Sequence, residues 1–392
     1  MFTKTENNGR LGSVSRSTLV WPIAANIAFV MELTLVPFLL PQMQAMLGIS
    51  VGDLAWAFNA YGIAVAIGVV VGGLSGDAFS VQKVFACGVA LFAAGSVVVA
   101  IADGFVVVLA GRFVQGLGAG IFTPLVPVML TRASPKMPGR ALILWGSLAG
   151  YIAAFAPLIY GYIATANSWR IAFIVIAAIA AAALMGGLYP QQQEASSEAS
   201  ISSKMEYSDL IRASKLWIIL LYVFCTYGCI TFFLFRFPIL LVDSGLEMRL
   251  IGLLLSVFWL TFSGLSTLLR NLVDQHHVQS IMLAAPVLIA IGSLLSAVQQ
   301  GATILIGAAI FVGAGLACSN APSTQMVLRF APPGLVGASA SLDITFARLG
   351  GISAVAVLAS KPDAQAALVV CGVSLLAALC TICIGGHSAN RT

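Results

Sequence analysis

The chain has 392 residues, of which 60% are hydrophobic and only 8% are charged, and its mean hydropathy is +1.01. Soluble domains carry roughly 25% charged residues, so this composition excludes an ordinary water-soluble enzyme or binding module and points to lipid as the solvent. The formal net charge of +5 does not imply nucleic acid, because the basic residues sit in short segments between apolar runs rather than on one face.

A helix needs about 20 apolar residues to cross the hydrocarbon core. Apolar runs between charged or turn-rich breaks predict spans over 19–42, 54–75, 84–102, 105–130, 140–164 and 169–189. The first run is longer than a signal-peptide core and lacks a small-residue cleavage pattern, so it is expected to stay attached as the first helix. A polar, serine-rich segment from Gln191 to Ser214 follows, and its mixed charges read as a solvated face. Six further spans are predicted over 216–242, 249–270, 279–298, 302–328, 336–359 and 364–386. The expected organisation is an all-α membrane protein of twelve transmembrane helices. Residues 1–190 form an N-terminal six-helix bundle, 191–214 a cytoplasmic linker and 215–392 a C-terminal six-helix bundle.

With the N-terminus in the cytoplasm, basic residues concentrate inside, from Lys4 and Arg10 through Lys83, Arg132 and Arg329 to Arg391; only Arg249 and Lys361 fall clearly outside. The positive-inside rule therefore puts both termini in the cytoplasm. Short outer loops, and no Asn-x-Ser/Thr site before Asn390-Arg391-Thr392, favour a bacterial inner (plasma) membrane.

Sliding the chain by 197 residues, the separation of Pro41 and Pro238, superposes Gly48 on Gly245, Asp77 on Asp274 and Gly95-Ser96 on Gly292-Ser293. Without a gap, Gly116 and Gly118 then reach Gly313 and Gly315, and Arg132 reaches Arg329. Two copies separated by an even number of spans share one orientation and are related by an axis along the membrane normal, with a cavity between them.

The seven cysteines lie almost entirely in apolar segments and read as small hydrophobes. Cys380-x-x-Cys383 has no second pair or nearby histidine, and adjacent His276 and His277 diverge, so neither a metal site nor a cofactor is expected. No Ser/His/Asp constellation or phosphate-binding loop points to an enzyme.

Gly111-Arg112-Phe113-Val114-Gln115-Gly116-Leu117-Gly118-Ala119-Gly120 is similar to the RxxQGxgaA signature of the major facilitator superfamily. Met31-Glu32-Leu33-Thr34-Leu35-Val36-Pro37-Phe38-Leu39-Leu40-Pro41 resembles the LDxTIVNVALP element of its drug:proton antiporter branches, with Glu32 in place of the aspartate; Trp56 and Tyr61 also fall where those branches often have them. Ala156-Pro157-Leu158-Ile159-Tyr160-Gly161 resembles the antiporter GPxxGG element but keeps only Pro157 and the last Gly161. The loop around Asp77 keeps the acid of the GxLxDRxGRR motif and loses most of its basic residues, leaving Lys83. The resemblance implies a two-bundle carrier in which Asp77, Lys83, Gly116, Pro157, Gly161 and Asp274 serve conformational change.

An ionisable side chain inside a span is expensive and marks function. Glu32 sits mid-span, and removal from water disfavours the charged form of a carboxyl, the property a proton carrier requires. A second reading holds it permanently ionised by Arg112, Arg236 or Arg348. Three intramembrane arginines against Glu32 and Asp343 leave a small positive excess, which suits a substrate bearing an anionic group; snorkelling competes for Arg236. Asn26, Asn59, Gln115, Tyr227, Asn320 and Gln325 lie on cavity-lining helices of the family and serve either substrate or helix contacts. The expected function is proton-coupled export of a small organic compound, a drug or a secreted metabolite such as a siderophore, by alternating access across the bilayer, with Glu32 and Arg112 in proton coupling. Uptake of an organic anion with protons, and a non-transporting receptor or assembly factor, are the rival expectations.

Overall fold

The computed structural model describes residues 16–133, 138–163, 168–187, 208–273, 278–298, 301–333 and 335–386. These form fourteen helices and no strand among the described residues: α1 (Arg16–Leu47), α2 (Val51–Ala78), α3 (Val81–Ala100), α4 (Phe105–Phe122), α5 (Leu125–Ala133), α6 (Pro138–Ile163), α7 (Ser168–Gly187), α8 (Ser208–Arg212), α9 (Ser214–Asp243), α10 (Met248–Val273), α11 (Val278–Val298), α12 (Gly301–Phe330), α13 (Val336–Leu358) and α14 (Asp363–Gly386). Eleven are long and apolar enough to span a bilayer, counting α4 and α5 as one, and α6 adds a further apolar helix. Only helices satisfy every backbone polar group within one spanning segment, and the composition leaves no other solution. The linker expected at 191–214 lies outside the described residues up to residue 207; its end carries the short α8.

The twelve predicted spans match these helices, with α1 and α2 several residues longer than their apolar runs. One expectation of continuity fails. The span predicted over 105–130 is broken between α4 and α5 at Thr123 and Pro124, because proline has no N–H to donate to the turn below. Pro37, Pro41 and Pro238 are instead carried inside unbroken helices. The start of α2 is fixed by Ser50: its Oγ accepts from the Asp53 N–H, while the Ser50 N–H donates to the Asp53 carboxylate, both at 3.1 Å. This reciprocal cap is worth about 1 kcal/mol.

The internal repeat is visible as repeated packing. Gly48 and Gly245 end their helices with φ of +62° and +75°, a conformation that disfavours any Cβ. A Cβ on Gly116 would lie 2.4 Å from Tyr61 O, and one on Gly313 2.5 Å from Phe258 O. A Cβ on Gly95 would meet the backbone of Gln115, and one on Gly292 that of Val312. Gly118 likewise faces Phe92, and Gly315 faces Ile289. Tyr61 and Phe258, Gln115 and Val312, and Phe92 and Ile289 all share the 197-residue offset of the glycines themselves.

Call the end of the bundle where α1 and α9 begin the terminal end, and the other, carrying the 48–50 and 244–247 turns, the loop end. At the loop end both halves contribute to one apolar core, from Leu35, Phe38 and Leu39 of α1 to Phe235, Phe237 and Leu241 of α9 and Leu254 of α10. At the terminal end the cores are separate. Val65, Phe85, Phe122 and Ile176 belong to one, and Leu216, Tyr222, Met282 and Val327 to another. The halves therefore share one apolar core on the loop side and keep separate cores on the terminal side, although α2 and α13 still meet near that end, where a Cβ on Gly73 would lie 4.0 Å from Ser341 Oγ.

Candidate functional site

The centre of the molecule is a buried ion pair. Glu32 of α1 and Arg112 of α4 are 1% and 2% exposed, and Arg112 Nη1 lies 2.6 Å from Glu32 Oε1. The same nitrogen donates to Gln115 Oε1, one helical turn on, at 2.7 Å. Gln115 Nε2 donates to Ser96 Oγ of α3 at 2.8 Å, and Ser96 in turn donates to the Phe92 carbonyl at 2.7 Å. The Arg112 guanidinium also rests on the Tyr61 ring of α2, 4.2 Å from its centroid. Four helices thus fix one cation, and the small residues of the Gly116 to Gly120 stretch let α4 come close enough to α2 and α3 to do so.

This pair forms one wall of a cavity of about 560 Å³, its open part included, between the halves. Glu32, Asn59, Tyr61 and Arg112 face Thr231 and Leu234 of α9 and Arg348 and Ile352 of α13, with Val36, Pro37 and Phe58 supplying apolar surface. Asn59 Nδ2 donates across the divide to the Ile352 carbonyl at 3.2 Å. Three buried polar atoms on this wall have no hydrogen-bond partner: Glu32 Oε2, Asn59 Oδ1 and the Tyr61 hydroxyl. Tyr61 is close enough to Glu32 to feel its charge, but the two make no well-formed hydrogen bond. Among the described residues no carboxylate lies within ion-pair distance of Arg348.

A Major Facilitator Superfamily profile matches residues 23–355, a stretch that contains the whole cavity. The chain belongs to the Major Facilitator Superfamily. It is accordingly a multi-pass membrane protein with a transporter fold. It is 30% identical over 158 residues to an MFS-type transporter of Mycobacterium tuberculosis, covering 40% of this chain and 27% of that one. It is also 28% identical over 176 residues to the tetracenomycin C resistance and export protein of Streptomyces glaucescens, covering 43% and 32%. The chain thus spans only 27% and 32% of the length of these two relatives. The fold is that of the D-xylose–proton symporter, with a TM-score of 0.77 at 15% identity over 94% of this chain and 97% of that one.

Within the superfamily frame, the residues expected to line the cavity divide into groups. Glu32, Arg112, Asn59 and Arg348 meet at it. Gln115 stands behind Arg112 as a support. Tyr227 and Asn320 pair with each other at 2.6 Å beside the terminal-end core of the second half, and Thr324 donates to buried Asp343 at 2.7 Å. Asn26 is buried on α1 and Gln325 is exposed on α12. Arg236 lies apart, in a smaller pocket near the loop end among Phe232, Phe237 and Ser293, where its Nε lies 2.7 Å and its Nη2 3.3 Å from the Asp363 carboxylate. Asp363 therefore receives this arginine, which was expected in the substrate cavity with snorkelling as the competing reading.

The conformational motif residues are placed unevenly. Pro157 and Gly161 of α6 pack on α10 of the other half: a Cβ on Gly252 would lie 2.5 Å from Pro157 O and 3.2 Å from Gly161 Cα. Lys83 is exposed in the first turn of α3. Asp77 ends α2 with a side chain outside the described residues, and Asp274 lies wholly outside them. Sequence reasoning passed over Tyr61, Ser96 and Asp363 as site residues. Tyr61 carried the clearest signal, since it lies near Asn59 on a cavity helix, while Ser96 was marked only by the repeat.

Proposed function

We propose that this chain is a proton-driven exporter of a small organic compound, working by alternating access in a bacterial plasma membrane with both termini in the cytoplasm. In this reading residues 1–190 and 215–392 are the moving halves and 191–214 their linker. The observation that carries the reading is the buried Glu32–Arg112 pair on the cavity wall, with the second carboxylate oxygen unpartnered. A carboxylate buried this deeply is stable as an anion only while a cation faces it, so proton binding and release at Glu32 are tied to what else occupies the cavity. Arg112 keeps Gln115 and the Tyr61 ring when Glu32 is neutral, and a cation over an aromatic face is worth about 0.5–2 kcal/mol. Protonation therefore does not strand the arginine.

The terminal end is cytoplasmic in this reading, and the apolar core that the halves share at the loop end supports an inward-facing state. The export activity named for the Streptomyces relative supports the direction, and drugs or secreted metabolites are the proposed substrate range. The same ion pair supports a second reading, in which Glu32 is the fixed counter-ion of Arg112 and never binds a proton.

Transport of a substrate into everted vesicles under an imposed pH gradient separates these. Loss of uphill transport in Glu32→Gln with retained exchange at zero gradient is expected for the carrier. Unchanged uphill transport in that variant would exclude it.

A further inference from the structure

The cavity wall presents two kinds of unmet demand. Glu32 Oε2 and Asn59 Oδ1 are acceptors, 1% and 2% exposed at the residue level, that make no well-formed hydrogen bond, with the Tyr61 hydroxyl the donor nearest Glu32. Arg348, on the facing half, is a cation with no carboxylate in reach among the described residues. The Glu32–Arg112 pair neutralises itself, so Arg348 sets the net charge of the cavity. A buried acceptor without a donor and a membrane-level cation without an anion are both costly. A ligand that answers one demand alone leaves the other uncompensated. Val36, Pro37, Phe58 and Leu234 line the same cavity and offer surface with no polar atoms from their side chains.

We infer that the cavity takes an amphoteric organic molecule, with an O–H or N–H donor seated at Glu32 and Asn59, an anionic group at Arg348 and an apolar body between. This rests on the exporter reading only for the direction of movement. The donor end needs Glu32 ionised, since a protonated carboxyl is itself a donor seeking an acceptor. Proton and ligand then compete for one oxygen, which gives exchange without a long-range relay. The ligand also bridges the two halves, because Glu32 and Asn59 belong to α1 and α2 and Arg348 to α13.

The test is fluorescence titration of the full chain in nanodiscs at zero pH gradient, using three probes that share one apolar body: 6-hydroxy-2-naphthoate, 2-naphthoate and 2-naphthol. The hydroxynaphthoate is expected to bind about tenfold tighter than either relative, roughly 1.4 kcal/mol. Arg348→Gln should bring it level with 2-naphthol while Arg348→Lys keeps part of the advantage. Asn59→Ala should bring it toward 2-naphthoate, and if that variant fails to fold, loss of the hydroxyl preference on protonating Glu32 at low pH reads the same contact. Equal binding of the three probes, preference for 2-naphthol, absence of binding, or an Arg348→Gln variant with unchanged selectivity would each overturn the inference. Because no gradient is applied, these outcomes leave the proton-coupled export reading to the vesicle assay.

Discussion

Arg112 Nη1 stands 2.6 Å from Glu32 Oε1 while the same guanidinium lies 4.2 Å from the centre of the Tyr61 ring. The two partners of this pair are not equally dependent on each other. Arg112 has Gln115 and the Tyr61 ring in reserve, whereas Glu32 Oε2 makes no well-formed hydrogen bond and has only the Tyr61 hydroxyl nearby.

Breaking a buried ion pair from one side costs about 3–5 kcal/mol, because a charge is left uncompensated. Arg112→Leu leaves a buried carboxyl that must take up a proton or stand uncompensated, and Glu32→Gln leaves a cation that still has two contacts. The arginine variant is therefore expected to lower the thermal midpoint in detergent more than the glutamine variant. The double variant should recover part of the loss. Equal midpoints for Arg112→Leu and the double variant would show that no stranded carboxylate was responsible.

Gly161 and Gly252 bring α6 and α10 into backbone contact across the two halves on the loop side. A Cβ on Gly252 would lie 2.5 Å from Pro157 O, and backbone cannot rotate away as a side chain can. Gly252→Leu is expected to push the halves apart there and favour the state open at the loop end. A cysteine placed at Leu234 on the cavity wall should then react with a membrane-impermeant thiol reagent added outside whole cells, several-fold faster than in the Gly252 parent. Unchanged labelling would mean that the glycine contact does not hold that side shut.

Much of this architecture was legible in the sequence, because apolar run length fixes span number and the 197-residue offset fixes which helices correspond. Chemistry on the cavity wall was legible where burial is paid for by charge: Glu32, Arg112 and Arg348 were expected inside the membrane and do meet at one cavity. Arg236 was not separable from them by sequence, since its partner Asp363 begins a helix 127 residues away and only folding brings the two together. Polar positions such as Asn320, Tyr227 and Gln325 were equally opaque. Which face of an apolar helix points inward is decided by packing, and the near-uniform hydrophobicity of these helices leaves little periodic signal to read.

Arg236 and Asp363 join α9 to α14 near the loop end, each about one-fifth exposed, with Asp243 4.0 Å from the third guanidinium nitrogen, Nη1. A bidentate pair in partial contact with solvent is worth more than an open surface bridge and less than a dry one. Asp363→Asn is expected to cost about 1–2 kcal/mol of stability, read as a lower thermal midpoint, while leaving relative transport of different substrates unchanged. A change in substrate preference with an unchanged midpoint would place this pair in the substrate path instead.

Gly95 and Ser96 are neighbours on α3 that support Gln115 by different means, so substitutions at them should differ in size. Ser96→Ala leaves Gln115 Nε2 buried without its acceptor, a loss of about 1–3 kcal/mol. Gly95→Ala places a Cβ 2.3 Å from the Gln115 backbone nitrogen, which only separation of α3 and α4 relieves. That separation would move Arg112, one turn before Gln115, relative to Glu32 on α1. Gly95→Ala is therefore expected to lower the thermal midpoint further than Ser96→Ala and to abolish uphill transport, whereas Ser96→Ala retains a measurable fraction of it. If Gly95→Ala proved the milder of the two, close approach of the α3 and α4 backbones would not be what positions the arginine.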